Sequence, residues 1–175
     1  IVLASRNAPS SEAKKIMAQL TNAGISVRMM QTDVSDIDDM QNLMKAFQKE
    51  KPLRGIVHAA GIIDDAVLQN QTPERFLRVF APKVHGSWLL HTLTLETPLD
   101  FFICFSSSTS VLGYGGQGNY AAANSFLDAL AHHRRQQGLP ALTINWGAWA
   151  EAGMSARMSH QNLKRMKANG EEMIP

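Results

Sequence analysis

Short apolar segments alternate with longer segments whose apolar residues recur at helical spacing, and this alternation limits the folds open to the chain. The apolar segments carry hydrophobic residues on both faces, so strands formed from them need cover on both sides. That pattern is typical of a parallel sheet between two layers of helices, a doubly wound α/β fold. Strands are predicted over residues 1–5, 25–30, 55–59, 99–105 and 141–146, and helices over residues 11–23, 36–49, 73–93, 119–137 and 155–168.

Three residues indicate where these helices begin, bend or end. Gly24 is a natural stop for the first helix, because glycine readily adopts the backbone conformation that ends a helix. Ser35 is the predicted N-cap of the second helix, with acidic residues following in the first turn. Pro82 lies within the third helical region and is expected to break or kink it.

Composition excludes several classes of protein. The net charge of +2 is too small to favour binding to nucleic acid or to an anionic membrane surface. No apolar stretch reaches the length that a membrane span requires. The single cysteine, Cys104, lies in an apolar segment and has no partner for an intrachain disulfide, which is compatible with a reducing cytoplasm. The 175 residues suit one domain, and because the sequence starts without methionine we expect a fragment of a longer protein.

Polar or small residues follow every predicted strand. In a parallel sheet the carboxyl ends of the strands meet at one edge, where ligands bind. Turns are commonly polar, which would explain any one of these segments, but five in succession favour a ligand cleft. The segments are Ser5–Asn7, Thr32–Val34, His58–Gly61 with Asp64 and Asp65 beyond it, Ser106–Ser108, and Gly147.

Arg6 bears on the choice of cofactor. An arginine just past a strand end can pair with the 2′-phosphate of NADPH, whereas an acidic residue there would favour NADH. A solvated surface arginine is an equally good interpretation of this residue alone. The glycine-rich segment 113–118 only loosely imitates a phosphate-binding loop, and it follows the fourth predicted strand, so we reject it as a phosphate site.

Four residues together suit the reduction of a carbonyl group. Tyr120 would donate a proton to the carbonyl oxygen, but its ordinary pKa near 10 means that it needs an activating cation, which Lys83 would supply. Ser107 would hold the carbonyl beside the phenol, and Asn124 lies one helical turn after Tyr120 on the same face. Taken singly, each residue has a structural explanation as a turn, core, capping or solvated surface residue.

These residues lie within segments that resemble the short-chain dehydrogenase/reductase superfamily, and within it the ketoreductase domains of polyketide synthases. Typical superfamily members carry lysine four residues after the tyrosine, where this chain has Asn124, and its lysine is Lys83 in the preceding helix. This interchange of the lysine and asparagine positions resembles the pattern of the synthase-type ketoreductases. The matching segments are LASRN, TDVSD, GIVHAAGIIDDAVLQ, FAPKVHGSWLLH, FFICFSSSTSVLGYGGQGNYAAANSFLDALAHHRRQQGLP and INWGAWAEAGM.

The resemblance implies a Rossmann-like fold and a role for each site residue. Tyr120 would be the proton donor, Ser107 would orient the carbonyl, and Lys83 and Asn124 would complete a catalytic tetrad. The helix after residue 154 would form a lid over the substrate. The implied NADPH-binding residues are Ser5, Arg6, Asp33, Val34, Ala59, Ala60, Gly61, Gly147 and Met154.

The resemblance also implies a stereochemical class. Ile63-Asp64-Asp65 resembles the Leu-Asp-Asp signature of B-type ketoreductases, which form the D-configured β-hydroxy product, and Leu112 occupies the place of the A-type tryptophan. Two residues depart from the B-type pattern, Ile63 itself and Ala122, which stands where many B-type domains have proline. A solvated loop tip is the structural alternative for Asp64 and Asp65.

The function implied by the resemblance is reduction of a β-ketoacyl thioester on an acyl carrier protein, within a cytoplasmic polyketide synthase whose other domains are partners. The family's first strand with its glycine-rich turn, and its last strand, would be missing from residues 1–175. Two alternatives stay open: a non-catalytic structural subdomain of a synthase, and a free-standing reductase of small ketones.

Overall fold

Strands and helices alternate along the part of the chain that the computed structural model describes, which comprises residues 1–48, 52–150 and 172–174. The predicted helix over 155–168 lies outside these residues. The strands are β1 (Val2–Ser5), β2 (Arg28–Gln31), β3 (Gly55–His58), β4 (Phe101–Ser107) and β5 (Leu142–Trp146). The helices are α1 (Ser11–Asn22), α2 (Ile37–Gln48), α3 (Pro73–Phe80), α4 (Gly86–Leu93), α5 (Thr109–Leu112) and α6 (Gly118–Gln136), with a 3-10 turn at Leu68–Asn70.

All the strand pairs are parallel, which confirms the predicted α/β fold. Within the described residues the strands form two sheets: β1 pairs with β2, and β3, β4 and β5 form the second sheet in that order. Val2 lies opposite Arg28 in the first sheet, and Gly55 lies opposite Phe101 in the second. The carboxyl ends of the strands within each sheet therefore lie side by side.

One hydrophobic core joins the two sheets. Val2 of β1 and Met30 of β2 pack against the same cluster of buried residues as Ile56 of β3 and Phe102 of β4. Leu127 of α6 completes this cluster from the helix side and is fully buried. Because both sheets contribute to one core, they fold as parts of a single unit.

The fourth strand is longer than its hydrophobic residues predict. The apolar segment ends at Phe105, but Ser106 and Ser107 continue the strand by pairing with Asn145 and Trp146 of β5. The Ser106 hydroxyl donates a hydrogen bond to the backbone oxygen of Asn124, 3.3 Å away. A buried serine is tolerated in a strand when its hydroxyl has a hydrogen-bond partner. The predicted strand therefore ended too early, at the last apolar residue.

The N-cap of α2 is Asp36, and the prediction of Ser35 was wrong. Asp36 Oδ1 accepts a hydrogen bond from the backbone nitrogen of Asp39, 2.9 Å away, in the arrangement of a helix N-cap. The Ser35 hydroxyl instead donates to Asp33 Oδ1 at 2.6 Å. Serine and aspartate are both good N-caps, so the sequence could not show which of these two adjacent residues caps the helix.

A single π-turn, Ala81–His85, joins α3 to α4 and confirms the expected irregularity at Pro82. Proline has no backbone N–H to donate, and the widened turn accommodates it. His58 Nε2 lies 3.0 Å from the backbone oxygen of Pro82. Burial, together with the nearby Lys83 ammonium, lowers the pKa of His58 to about 4, so the neutral ring donates this hydrogen bond. The π-turn directs Lys83 into the interior, where it is 3% exposed.

Trp149 and Ile174, which are distant in the chain, form a parallel bridge. The Ile174 N–H donates to the Ala148 oxygen, and the Ala150 N–H donates to the Ile174 oxygen, each at 2.8 Å. No pattern in the sequence predicts this pairing. Among the described residues, no helix has both the length and the apolar character that crossing a bilayer requires.

Candidate active site

The ends of β1 and β2 bring Arg6 and Asp33 together. Arg6 Nη1 lies 4.0 Å from Asp33 Oδ2, and the arginine side chain is 53% exposed. The pKa of Asp33 is lowered chiefly by the hydrogen bond from the Ser35 hydroxyl, and Arg6 adds to this effect. Ser5, the last residue of β1, accepts a hydrogen bond from the Asn7 N–H at 3.4 Å. The Arg6 guanidinium is therefore held only loosely and is accessible to an anion.

Val34, one of the predicted NADPH-binding residues, packs against α4. A Cβ atom added at Gly86 would lie 2.9 Å from Val34 Cγ2 and 3.2 Å from the Val34 backbone oxygen. Glycine at residue 86 thus lets the loop after β2 approach the helix that follows the π-turn. Val34 is half-buried, and the packing leaves only part of it available to a ligand.

The Lys83 ammonium lies under the candidate proton donor. Lys83 Nζ donates a hydrogen bond to the backbone oxygen of Phe105 at 3.0 Å, and it lies 5.2 Å from the centroid of the Tyr120 ring. Burial lowers the pKa of Lys83 to about 8, while Cys104 and Asp128 act in the opposite direction. The lysine therefore remains mainly protonated at neutral pH and places a positive charge against the face of the ring.

The lysine side chain passes close to Gly61. A Cβ atom at this residue would lie 2.9 Å from Lys83 Cε, closer than van der Waals contact allows. Ala59, which is exposed, and Ala60, which is half-buried, lead from the end of β3 to this glycine. This predicted NADPH-binding segment therefore lies directly against the candidate catalytic lysine.

Tyr120 and Asn124 lie one turn apart on α6, as predicted, and both are buried. Asn124 Nδ2 donates to the Tyr120 backbone oxygen at 2.8 Å. Asn124 Oδ1 is buried and has no hydrogen-bond partner among the described residues. Burial raises the pKa of Tyr120, whereas the polar groups of Asn124 and Ser107 lower it. The phenol is therefore protonated at neutral pH.

Ser107 ends β4 beside this pair. Its hydroxyl accepts a hydrogen bond from the Thr109 N–H at 3.3 Å, and the residue is half-buried. Hydrogen bonding from Ser107 acts to lower the pKa of Tyr120, against the effect of burial. The structure thus brings Ser107, Lys83 and Asn124 together around Tyr120, a set of groups that can polarise a carbonyl and protonate its oxygen.

Asp64 is held between two arginines of α3. Its carboxylate pairs with Arg75 and with Arg78, whose Nε lies 2.7 Å from Asp64 Oδ2. The Asp64 side chain is only 17% exposed. The alternative of a solvated loop tip is therefore wrong for this residue, because two guanidinium groups anchor it to the helix.

Asp65 contacts the segment that begins α6. Its Oδ2 accepts a hydrogen bond from Gln117 Nε2 at 3.0 Å. Burial raises the pKa of Asp65, and the nearby Asp64 charge adds to the rise, while Gln117 opposes it. Burial is the main cause that raises the pKa of Tyr120, and the Asp65 charge adds to the rise.

Sequence reasoning missed Asn119, the residue directly before Tyr120. Asn119 is fully buried, and its side chain bonds both to Tyr120 and to the backbone of Asp64. Its partner is 55 residues away, and no spacing rule connects the two. The only signal in the sequence is an asparagine in the first turn of a predicted helix.

The last predicted cofactor residues lie after β5. Gly147 is half-buried, and a Cβ atom there would meet Ile174 Cδ1 at 3.4 Å, an ordinary contact. Met154 lies outside the described residues, as does the predicted lid helix.

Comparison with known proteins gives a consistent match. Residues 1–151 match the KR domain family. The chain is 43% identical over 171 residues to polyketide synthase GfsB of Streptomyces halstedii, covering 97% of this chain and 3% of that protein. The chain therefore spans a small part of the curated relatives that it matches.

Two solved structures support the same match. A ketoreductase domain from the bacillaene assembly line aligns with a TM-score of 0.89 and 35% identity, over 98% of this chain and 43% of that one. A structure described as A-type ketoreductases from a modular polyketide synthase aligns with a TM-score of 0.88 and 36% identity, over 95% of this chain and 35% of that one.

Proposed function

Since the chain belongs to the ketoreductase (KR) domain family of polyketide synthases, we propose that it reduces a β-ketoacyl thioester to the β-hydroxyacyl thioester with NADPH. The observation that carries this proposal is the buried Lys83 ammonium, 5.2 Å from the centre of the Tyr120 ring. A buried charge costs free energy of folding, and its place against a buried phenol is explained if the phenol must lose a proton during a reaction.

In this mechanism Tyr120 protonates the oxygen of the substrate carbonyl. The phenol is protonated at neutral pH, because its ordinary pKa near 10 lies well above 7 and burial raises it further. As the proton leaves, negative charge develops on the phenolate oxygen, and the Lys83 ammonium stabilises that charge. The Phe105 backbone oxygen fixes the ammonium through its hydrogen bond to Nζ.

Ser107 and Asn124 have supporting roles in the proposal. The Ser107 hydroxyl donates to the substrate carbonyl and keeps its oxygen beside the phenol. Asn124 holds the Tyr120 backbone through its Nδ2, and its unpartnered Oδ1 is a hydrogen-bond acceptor available to the site.

The residues at the carboxyl ends of the strands fit NADPH. NADPH, when bound, supplies the hydride for the carbonyl carbon. Among the described residues the half-exposed Arg6 guanidinium has one weak ion pair, with Asp33, and it can exchange that pair for a 2′-phosphate. The remaining residues proposed to hold the cofactor are Ser5, Asp33, Val34, Ala59, Ala60, Gly61, Gly147 and Met154.

We further propose B-type stereochemistry, with a D-configured alcohol as the product. This rests on Asp64 and Asp65 at the positions of the B-type signature and on Leu112 at the place of the A-type tryptophan. The proposed partners are an acyl carrier protein that presents the substrate and the other domains of the same synthase, in the cytoplasm.

Tyr120→Phe in the full-length protein tests the mechanism. With a β-ketoacyl thioester and NADPH, loss of NADPH absorbance measures the rate. We expect Tyr120→Phe to lower kcat by about 100-fold or more, because a positioned general acid contributes about that much. The matched control is Tyr114→Phe, which removes the same atom from the other tyrosine and is expected to keep kcat within a few-fold.

Three outcomes would contradict the proposal. A full rate in the Tyr120→Phe protein would exclude the assigned proton donor. A wild-type protein that binds NADPH but reduces no thioester would indicate the non-catalytic structural subdomain. Equal turnover of small free ketones and carrier-bound thioesters would favour a free-standing reductase.

A further inference from the structure

The buried side chain of Asn119 connects the candidate proton donor to the Asp64–Asp65 segment. Asn119 Oδ1 accepts the backbone N–H of Tyr120 at 2.8 Å. Its Nδ2 donates to the backbone oxygen of Asp64 at 2.9 Å and lies 3.4 Å from that of Arg75. The residue is 0% exposed, so no water replaces these bonds if the amide is removed.

The bond to Tyr120 satisfies a group that the helix itself leaves free. Tyr120 lies in the first turn of α6, where backbone N–H groups have no partner within the helix. Asn119 supplies an acceptor from inside the same turn. The position of the Tyr120 backbone therefore depends on the Asn119 amide.

The bond to Asp64 reaches a segment that is fixed from its other side. The Asp64 carboxylate pairs with Arg75 and Arg78. These ion pairs hold the residue whose backbone oxygen accepts the bond from Asn119. Next in the chain, Asp65 is held by Gln117 from the segment before α6. Asn119 thus lies between two anchored parts of the site.

Further contacts join the same two segments. The Ala66 N–H donates to the Gly116 oxygen at 2.9 Å. Gln71 Nε2 donates to the Ala66 oxygen at 3.0 Å and lies 3.4 Å from the Gly116 oxygen. Asn119 takes part in joining these two segments and also accepts the hydrogen bond from the Tyr120 N–H.

We propose that Asn119 is a positioning residue that fixes the Asp64–Asp65 segment relative to Tyr120, and so helps to set the face of the substrate carbonyl that is reduced. This inference rests on the proposed ketoreductase activity. Asn119 acts through Tyr120 and Asp64, and it needs no contact with substrate. A shift of either segment would let the carbonyl approach the phenol in more than one orientation.

Two substitutions in the full-length protein test the proposal. Asn119→Ala removes both hydrogen bonds. Asn119→Asp keeps the acceptor for the Tyr120 N–H but, when ionised, has no donor for the Asp64 oxygen. For both variants at neutral pH we expect kcat to fall about 10- to 100-fold with a smaller change in KM. The minor alcohol epimer should rise from a trace to at least about a tenth of the product, measured by chiral chromatography.

The pH dependence separates a specific bond from general damage. A protonated carboxyl in the Asn119→Asp protein can donate to the Asp64 oxygen, so its rate and epimer ratio relative to wild type should recover as the pH falls. Asn119→Ala should show no such recovery. The charged side chains around this position are Asp64, Asp65, Arg75 and Arg78, and they are the same in both variants.

The matched control for lost stability is Thr94→Val. Thr94 is also 0% exposed, and its hydroxyl donates to the Leu90 oxygen at 2.6 Å at the end of α4. This variant should lose stability and keep the wild-type epimer ratio. If folded Asn119→Ala protein keeps the wild-type kcat and epimer ratio, the inference is wrong while the proposed function stands.

Amide hydrogen exchange gives a readout that needs no activity. In Asn119→Ala protein the Ala66 amide, which is not bonded to Asn119, should exchange at least about tenfold faster, because the two segments separate more easily. Unchanged exchange at Ala66 overturns the inference even if wild-type protein reduces no thioester. If the wild-type protein shows no reductase activity but Asn119→Ala still speeds exchange at Ala66, only the proposed function is refuted and the inference about Asn119 stands.

Discussion

At the scale of single residues, Lys83 shows a conflict between stability and the proposed chemistry. Burial lowers its pKa to about 8 from an ordinary value of 10.5. Between these two pH values the unfolded chain holds a proton that the folded chain has released. The free energy of unfolding therefore rises with pH across this interval, and below about pH 8 the full cost of the buried charge is present.

Lys83→Met should separate the two effects. The pKa difference corresponds to about 3 kcal/mol of destabilisation at neutral pH, while loss of the donor to the Phe105 oxygen costs about 1–3 kcal/mol. We expect the free energy of unfolding at pH 7 to be unchanged or higher, and kcat to fall about 100-fold or more. Urea denaturation and the NADPH assay measure these quantities.

The matched control is Lys45→Met on the exposed face of α2, which should change neither quantity appreciably. From pH 8 to pH 10.5 the wild-type protein should gain stability relative to Lys83→Met. A Lys83→Met protein that is strongly destabilised at pH 7 would show that the lysine is retained for folding.

Site residues could be predicted from the sequence where they are related by helical spacing or belong to the family pattern. Tyr120 and Asn124 follow from helical spacing, and the structure places Lys83 beside Tyr120. Asn119, and the close approach of Gly61 to Lys83, could not be found in this way. Their importance comes from contacts with Asp64 and Lys83, which are distant in the chain and meet only after the sheets have formed.

At the scale of helices and strands, periodicity predicted the elements better than their ends. Every predicted strand and helix within the described residues is present. The errors fall where a side chain satisfies the backbone: Asp36 caps α2, and Ser106 and Ser107 extend β4. Serine and aspartate each suit several local roles, so the choice depends on packing that the sequence does not reveal.

Asp36→Ala should therefore destabilise the protein through α2. Loss of an N-cap hydrogen bond costs about 1 kcal/mol, seen as a lower midpoint in thermal or urea denaturation. Asp38→Ala, in the same turn but without a capping bond, is the control and should cost less. Equal losses for the two variants would show that helix charge matters here and that the cap does not.

At the scale of the whole molecule, the two sheets share a core but leave strand edges without partners. Within residues 1–48, 52–150 and 172–174, β1 pairs only with β2, and β3 pairs only with β4. Leu3 of β1 is 39% exposed and Val57 of β3 is 54% exposed. Hydrophobic positions with this exposure next to open edges favour a further strand between them. We propose that this strand and a glycine-rich turn belong to the same protein.

NADPH affinity tests that arrangement. Protein restricted to residues 1–175 should bind NADPH much more weakly than micromolar, since the phosphate-binding turn would be absent. Protein that includes the preceding strand should bind in the micromolar range. NADPH fluorescence titrations of the two proteins in the same buffer make the comparison, and micromolar binding by residues 1–175 alone would refute it.

The contact between Gly61 and Lys83 has a consequence for evolution. A Cβ atom at residue 61 would lie 2.9 Å from Lys83 Cε, so a larger residue there would displace the lysine side chain. Among descendants of this gene, loss of the lysine would remove the constraint on the glycine. A larger residue at position 61 is therefore expected more readily in lineages that have already lost the lysine, because no lysine side chain must then shift to make room.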